Sequence, residues 1–145
     1  MSRRSSILKA LADSFKVIDG SSPYKTNIYG NSFPYLKFWD EVNNFGSIYM
    51  SPGMEAREYL PGGFKWGYIN VSLKLYVKGE DAQILLEDLL EDVERVIDNN
   101  QVLIYDTDNN YETTDMNIQS ITTDEGLLAP YGVGEVNIQI RYQVM

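Results

Sequence analysis

Ile69, Val71, Leu73, Leu75 and Val77 alternate with Asn70, Ser72, Lys74, Tyr76 and Lys78. A period of two held over ten residues demands a β-strand with one buried face and one wetter face. The pattern returns near the end of the chain. There Val136, Ile138, Ile140, Tyr142 and Val144 alternate with Glu135, Asn137, Gln139, Arg141 and Gln143. Strands covered on one side only belong to an antiparallel or mixed sheet.

Two amphipathic helices are available to supply the cover. Over residues 4–19, Ile7, Leu8, Leu11, Phe15 and Ile18 recur at spacings of three and four. Ser5 or Ser6 can cap the start, and Gly20 stands where a left-handed residue is wanted. Over residues 80–98, Leu85, Leu86, Leu89, Leu90, Val93, Val96 and Ile97 form a broad stripe. Glu87, Asp88, Glu91, Asp92, Glu94 and Asp98 take the opposite side, with Arg95. The stripe predicts core and the acidic run predicts a solvated face.

The remaining segments read as strands and turns. Twelve of the 18 aromatic residues fall between positions 24 and 68. Short strands are predicted at 35–40, 45–50 and 54–60, punctuated by Ser51-Pro52-Gly53 and Pro61-Gly62-Gly63. The second turn closes a hairpin onto the strand over 64–78. Further strands are predicted at 101–105 and 115–123, with a loop over 124–134. Neither an internal repeat nor a linker divides the sequence. The expectation is one domain over residues 1–145, of class α+β. Its sheet is mixed but mostly antiparallel, with about four core strands, two helices on one face and an extra β-hairpin arm from residues 40–66.

Composition excludes several chemistries. The 145 residues include no Cys and no His, which removes disulfides, Cys/His zinc sites, thiolate nucleophiles and histidine triads. The net charge is −9, unevenly placed. Residues 1–78 hold 10 basic and 6 acidic groups, and residues 79–145 hold 2 and 15. The acidic half is the reverse of a nucleic-acid footprint and is repelled by anionic membranes. Ser2-Arg3-Arg4 ahead of Ile7-Leu8-Lys9 has the outline of a twin-arginine export signal. However, Asp13, Lys16 and Asp19 interrupt the apolar run and no cleavage site follows. A soluble protein made in the cytoplasm is expected, with no membrane partner.

The search for a reactive site ends without one. Glu87/Asp88 and Glu91/Asp92 share a helix face, but that face is turned from the apolar stripe. Asp106, Asp108 and Asn110 have the 1, 3, 5 spacing of a calcium loop. Tyr111 stands where its glycine belongs and Asn117 where its glutamate belongs, so an Asx-rich turn is the reading. Pro61-Gly62-Gly63 precedes no helix and forms no phosphate loop. No catalytic, cofactor or metal residue is assigned. The aromatics of 24–68, interleaved with Lys25, Lys37, Arg57 and Lys65, suit a core, a protein interface or the stacking of single-stranded bases. The projecting turns favour protein contacts, with Phe45, Tyr49, Arg57, Tyr59, Phe64 and Trp66 as candidates.

Particular segments carry a family resemblance. Ile7-Leu8-Lys9-Ala10-Leu11 leads to Asn31-Ser32-Phe33-Pro34-Tyr35-Leu36. The strand Ile69–Lys78 runs into Gly79-Glu80-Asp81-Ala82 and the acidic helix. Ile121-Thr122-Thr123-Asp124-Glu125-Gly126-Leu127-Leu128, Pro130 and Gly132 feed Val136-Asn137-Ile138-Gln139-Ile140-Arg141-Tyr142. In these segments and their order, over nearly its whole length, the chain resembles the tail terminator (tail completion) proteins of long-tailed bacteriophages. The resemblance implies a non-enzymatic virion protein of the head–tail junction. It would form a ring, typically a hexamer, that caps the head-proximal end of the tail tube and ends its polymerisation. Its implied partners are the tail tube protein and a connector or neck protein, with duplex DNA passing through the lumen. A neck or stopper protein of the same assembly has the same element order. A carboxylate-only enzyme and a single-strand binder are the readings from other classes.

Overall fold

The computed structural model describes residues 1–144. Its elements run α1 (Arg3–Ser14), a 3-10 turn (Phe15–Val17), β1 (Ser32–Phe33), β2 (Ser47–Tyr59), β3 (Lys65–Lys78), α2 (Ala82–Asn99), β4 (Ile104–Asp106), β5 (Tyr111–Thr123) and β6 (Tyr131–Gln143). The six strands form one sheet in the order β1-β2-β3-β6-β5-β4. Only the β1–β2 pair is parallel. The class is the expected α+β, with six strands where about four core strands are expected.

The two alternating segments become the centre of this sheet. β3 and β6 pair without interruption from Trp66↔Gln143 to Lys78↔Tyr131. Ile69, Val71, Leu73 and Leu75 of β3 and Val136, Ile138, Ile140 and Tyr142 of β6 are buried in the main core. Ile7, Leu8 and Leu11 of α1 and Phe15 of the 3-10 turn join them, as do Leu86, Leu89, Val93, Val96 and Ile97 of α2. Burying each such side chain contributes roughly 1.5–3 kcal/mol. Gly132 and Gly134 let α2 approach the sheet this closely. A Cβ on Gly132 would lie 2.7 Å from Val77 and 3.0 Å from the Ala82 carbonyl oxygen, and one on Gly134 would lie 3.0 Å from Leu86.

The structure departs from the sequence reading in several places. α1 starts a residue earlier than expected and is capped by Ser2, whose hydroxyl accepts from the Ser5 N–H at 3.1 Å. The last turn tightens to 3-10 and stops at Val17, short of Gly20. The strands expected at 45–50 and 54–60 are one strand, and Ser51-Pro52-Gly53 makes no turn. Pro52 sits opposite Val71 on an edge, where its missing N–H costs no ladder bond, and a bulge separates it from Glu55. β4 begins at Ile104 rather than 101, and β6 begins at Tyr131, inside the expected loop.

Residues 35–40 form no strand. The segment instead lies as a lid over a second, smaller core of Val42, Tyr49 and Tyr76, with Phe33, Phe45 and Val133 packed against it. Backbone carbonyls fasten the lid, because Tyr35 O accepts from the Met50 N–H at 3.1 Å and Lys37 O accepts from Tyr76 Oη at 2.5 Å. The rest of that sheet face stays polar. Ser72 donates to Asn137 at 2.8 Å, Asn137 donates to Ser120 at 3.0 Å, and Lys74 pairs with Glu135 at 2.8 Å.

α2 also differs from its reading in two residues. Leu85 is exposed, whereas Asp92 is buried among the apolar positions. Its carboxylate accepts from the backbone N–H groups of Lys25 and Thr26 and from the Thr26 hydroxyl at 2.6 Å. Asp92 therefore pins the loop after α1 to α2. Beside it Lys25 Nζ meets Glu91 at 2.9 Å, which raises the lysine's pKa and lowers the glutamate's.

Two predictions follow from this packing. Asp92→Ala leaves two inward backbone donors without a partner and is expected to cost about 2–4 kcal/mol. Glu87→Ala, on the exposed face, is expected to stay within about 0.5 kcal/mol. Urea unfolding midpoints of the two variants check the contrast. Burial, followed by the neighbouring Tyr49, pushes the Tyr76 hydroxyl up to about 12 from 10.0. The folded state thus holds this proton more tightly than the unfolded chain does. The stability it contributes is complete below pH 10 and is lost as pH rises towards 12. Tyr76→Phe is expected to flatten the fall of the urea midpoint across that window relative to the parent.

Candidate assembly interface

The outer half of β2 and the start of β3 build an arm. Beyond the Pro52/Glu55 bulge, β2 continues to Tyr59 and turns through Gly62 and Gly63, both at positive φ (87° and 83°). Leu60 N–H donates to Phe64 O at 2.9 Å across the turn. This is the hairpin expected from Pro61-Gly62-Gly63. Large side chains are uncovered along it, with Met54 71% exposed at the bulge and Tyr59 69% and Phe64 53% exposed at the tip. Exposed aromatics at the tip of a turn are the composition of a protein contact rather than of a core.

Beneath the arm lies an ionic anchor. Glu55 has a nearly buried side chain whose carboxylate meets Arg57, Arg4 at 3.6 Å and Tyr142 Oη at 3.1 Å. The hydrogen bond to Glu55 raises the Arg57 pKa, and burial followed by Glu55 raises that of Tyr142. Arg4 also donates to Gly53 O at 2.9 Å. Arg3 donates to Gln143 O at 2.9 Å and to Val144 O, and stacks 4.2 Å from the Tyr111 ring. Arg3 and Arg4, which in sequence outline an export motif, thus tie the start of α1 to three strands. With its oxygens taken by two guanidinium groups and a phenol, Glu55 serves as a structural anchor for the base of the arm.

The six candidate residues do not form one patch. Tyr59 and Phe64 project at the tip, and Arg57 is exposed on β2 while paired to Glu55. Trp66 is half-buried, with the Arg141 guanidinium 4.3 Å above its ring. Phe45 lies away from the arm, 5.3 Å from the Tyr131 ring and beside Lys78. Tyr49 is 2% exposed, stacked 5.0 Å from Phe33 inside the smaller core. Sequence patterning places Tyr142 on the apolar face of the last strand but does not reveal its bond to Glu55, and it does not single out Glu55 or Gln101. Gln101 brackets Met116, accepting from its N–H at 3.1 Å and donating to its carbonyl at 2.7 Å, as a neighbouring strand would. The contacts Glu55–Arg4, Glu55–Tyr142 and Gln101–Met116 join residues distant in sequence, which no local spacing reveals.

Carboxylates elsewhere are taken up in a turn and along the solvent side of α2, and among the described residues no group of three or more acidic side chains is placed to hold a metal ion. Asp106 accepts from the Asn109 backbone and side chain, which lowers its pKa and closes the Asx turn. Glu91, Glu94 and Asp98 line one solvent-facing side of α2 with Arg95. Among the described residues, no helix is long and apolar enough to cross a membrane.

The tail tube terminator protein p142 of Escherichia phage T5 is 39% identical over 153 aligned residues, covering 99% of this chain and 95% of that protein. The family model described as Bacteriophage Tail Tube Terminator Protein matches residues 1–145. A match that runs from the first residue to the last leaves no part of the sequence outside it, and the chain belongs to the family of bacteriophage tail tube terminator proteins.

Proposed function

We propose that this protein, as one 1–145 domain made in the host cytoplasm, assembles into a hexameric ring. The ring caps the head-proximal end of the tail tube, stops tube growth and presents a surface to the head's connector or neck protein. The role is non-enzymatic. Family membership over the whole chain supports the site of action, and the exposed arm is the observation that carries the assembly reading. A ring needs two different surfaces on each subunit, related by a rotation that closes. The arm, with Tyr59 and Phe64 at its tip and Arg57 at its base, supplies one. The acidic side of α2 is a further charged surface, open to basic groups of a neighbouring protein in the assembly.

Duplex DNA passes through the lumen without specific binding. Acidic groups of the 79–145 half facing the channel would keep phosphates from adhering, so the duplex slides. A ring structure with Lys and Arg lining the lumen would refute that orientation.

Electron microscopy of the purified protein, alone and added to assembled tail tubes, tests the function. Closed rings, or caps at one tube end, are expected. Tubes that keep growing in its presence would overturn the reading. Tyr59→Ser with Phe64→Ser is expected to abolish rings and caps while shifting stability by less than about 1 kcal/mol, because more than half of each residue's surface is already exposed. Circular dichroism melts and tube-length distributions check the two halves of that prediction.

A further inference from the structure

The sheet ends in two half-open edges. β1 pairs with Ile48 and Tyr49 of β2 and stops, so no strand lies on the outer side of β2 from Ser51 to Tyr59. At the other end β4 pairs with Tyr111 and Glu112 of β5. Leu103 O accepts from the Thr113 N–H, and Gln101 occupies Met116. Among the described residues, no strand lies on the outer side of β5 from Asn117 to Thr123. That stretch contains neither a charge nor a proline, and Ile121 is exposed. An uncharged, unpaired edge invites strand addition, and proteins ordinarily blunt or cover such edges.

We infer that the Glu55–Tyr59 edge of one copy pairs with the Gln119–Thr123 edge of the next, joining subunits into one continuous sheet. This rests on the ring proposed above and names its contact.

Strand direction fits this pairing. β2 is antiparallel to β3, β3 to β6 and β6 to β5, so β2 and β5 of one copy are antiparallel to each other. Copies repeated side by side therefore meet through an antiparallel β2–β5 pair and keep their helices on a common face.

Side-chain parity agrees. Arg57 pairs with Gly67 and Ile121 with Val136, positions that face the helices. Ala56 and Thr122, paired with Tyr68 and Glu135, face the other side. Setting Ala56 opposite Thr122 sets Arg57 opposite Ile121 and Glu58 opposite Ser120.

The covered halves fit as well. β1 flanks the first half of β2 and β4 flanks the first half of β5, at opposite ends of the sheet because these strands run in opposite directions. Ala56 is level with Tyr68 on β3, and Thr122 is level with Lys74, through Glu135. The pairing thus staggers neighbours by six residues, about 20 Å along the strand. That shift seats the two open halves together and leaves β1 and β4 clear of each other. Four strands per copy at ~4.8 Å spacing turn the stagger into a tilt of about 45°, the upper end of the range for closed barrels.

Complementarity of the two edges selects a second copy of this chain as the occupant. The open half of β2 and the open half of β5 match in direction, in side-chain parity and in the placement of the strands that cover the rest of each edge.

The chain has no Cys, so every thiol can be introduced by design. Ala56→Cys with Thr122→Cys, and Glu58→Cys with Ser120→Cys, each place one thiol on either edge in the same register. Ala56→Cys with Asn117→Cys is the off-register control, displaced by about 14 Å along the ladder, because a bulge at Gln119 leaves Asn117 level with Gln139 and Thr122 level with Glu135. Each variant is first checked for the parent's thermal midpoint, and the second on-register pair stands in if the first fails to fold. After treatment with a short bismaleimide, denaturing gels of the on-register pairs should show a ladder ending at the ring's copy number. Its yield should exceed the control's roughly tenfold. Rings visible by electron microscopy with no ladder from either on-register pair overturn the edge contact and leave the ring standing. Monomers with no ladder, and tubes left uncapped, overturn the ring as well.

Discussion

The unbroken pairing of β3 with β6 is the constraint on which everything else hangs. It joins segments about sixty residues apart and places two alternating strands back to back in register from Trp66 to Lys78. Once this pair exists, its apolar face must be covered, and α1 and α2 are the amphipathic elements able to cover it. Its other face then becomes the polar surface of Ser72, Asn137, Lys74 and Glu135, closed at one end by the aromatic lid. The neighbours β2 and β5 inherit their direction and register from it. Through them the pair decides where the arm projects and which edges remain open.

Those elements were legible in sequence because their signal is local. The alternation of β3 and β6, the stripes of both helices and the Pro61-Gly62-Gly63 hairpin each lie within a short window. The missed features are all non-local. Nothing in Tyr35–Asp40 distinguishes a strand from a lid until Tyr76 and Met50 take its carbonyls. Asp92 reads as one more acid on a solvated face until the Lys25 and Thr26 N–H groups arrive. Pro52 with Gly53 reads as a turn because local chemistry cannot report that this strand is an edge there. Among the interface candidates, residue type alone could not separate the projecting Tyr59 and Phe64 from the interior Tyr49.

As a member of the tail tube terminator family, the protein is a structural component of a phage tail. The fold suits a part whose surfaces matter more than any cleft. Its charges are divided laterally, since the sheet order sets the first three strands against the last three. What reads in sequence as an acidic second half is, in space, divided between the outer side of α2 and the strands β4–β6.

The sheet order also dictates how the two sides of the fold become one body. β6, the furthest of the strands along the sequence, is inserted between β3 and β5, in the middle of the sheet. Without it both neighbours have exposed edges and the core is incomplete. Contacts this distant in sequence form slowly. β2 and β5 are therefore fixed relative to each other only when β6 docks, so the two flanks acquire their mutual orientation in the same step that closes the core.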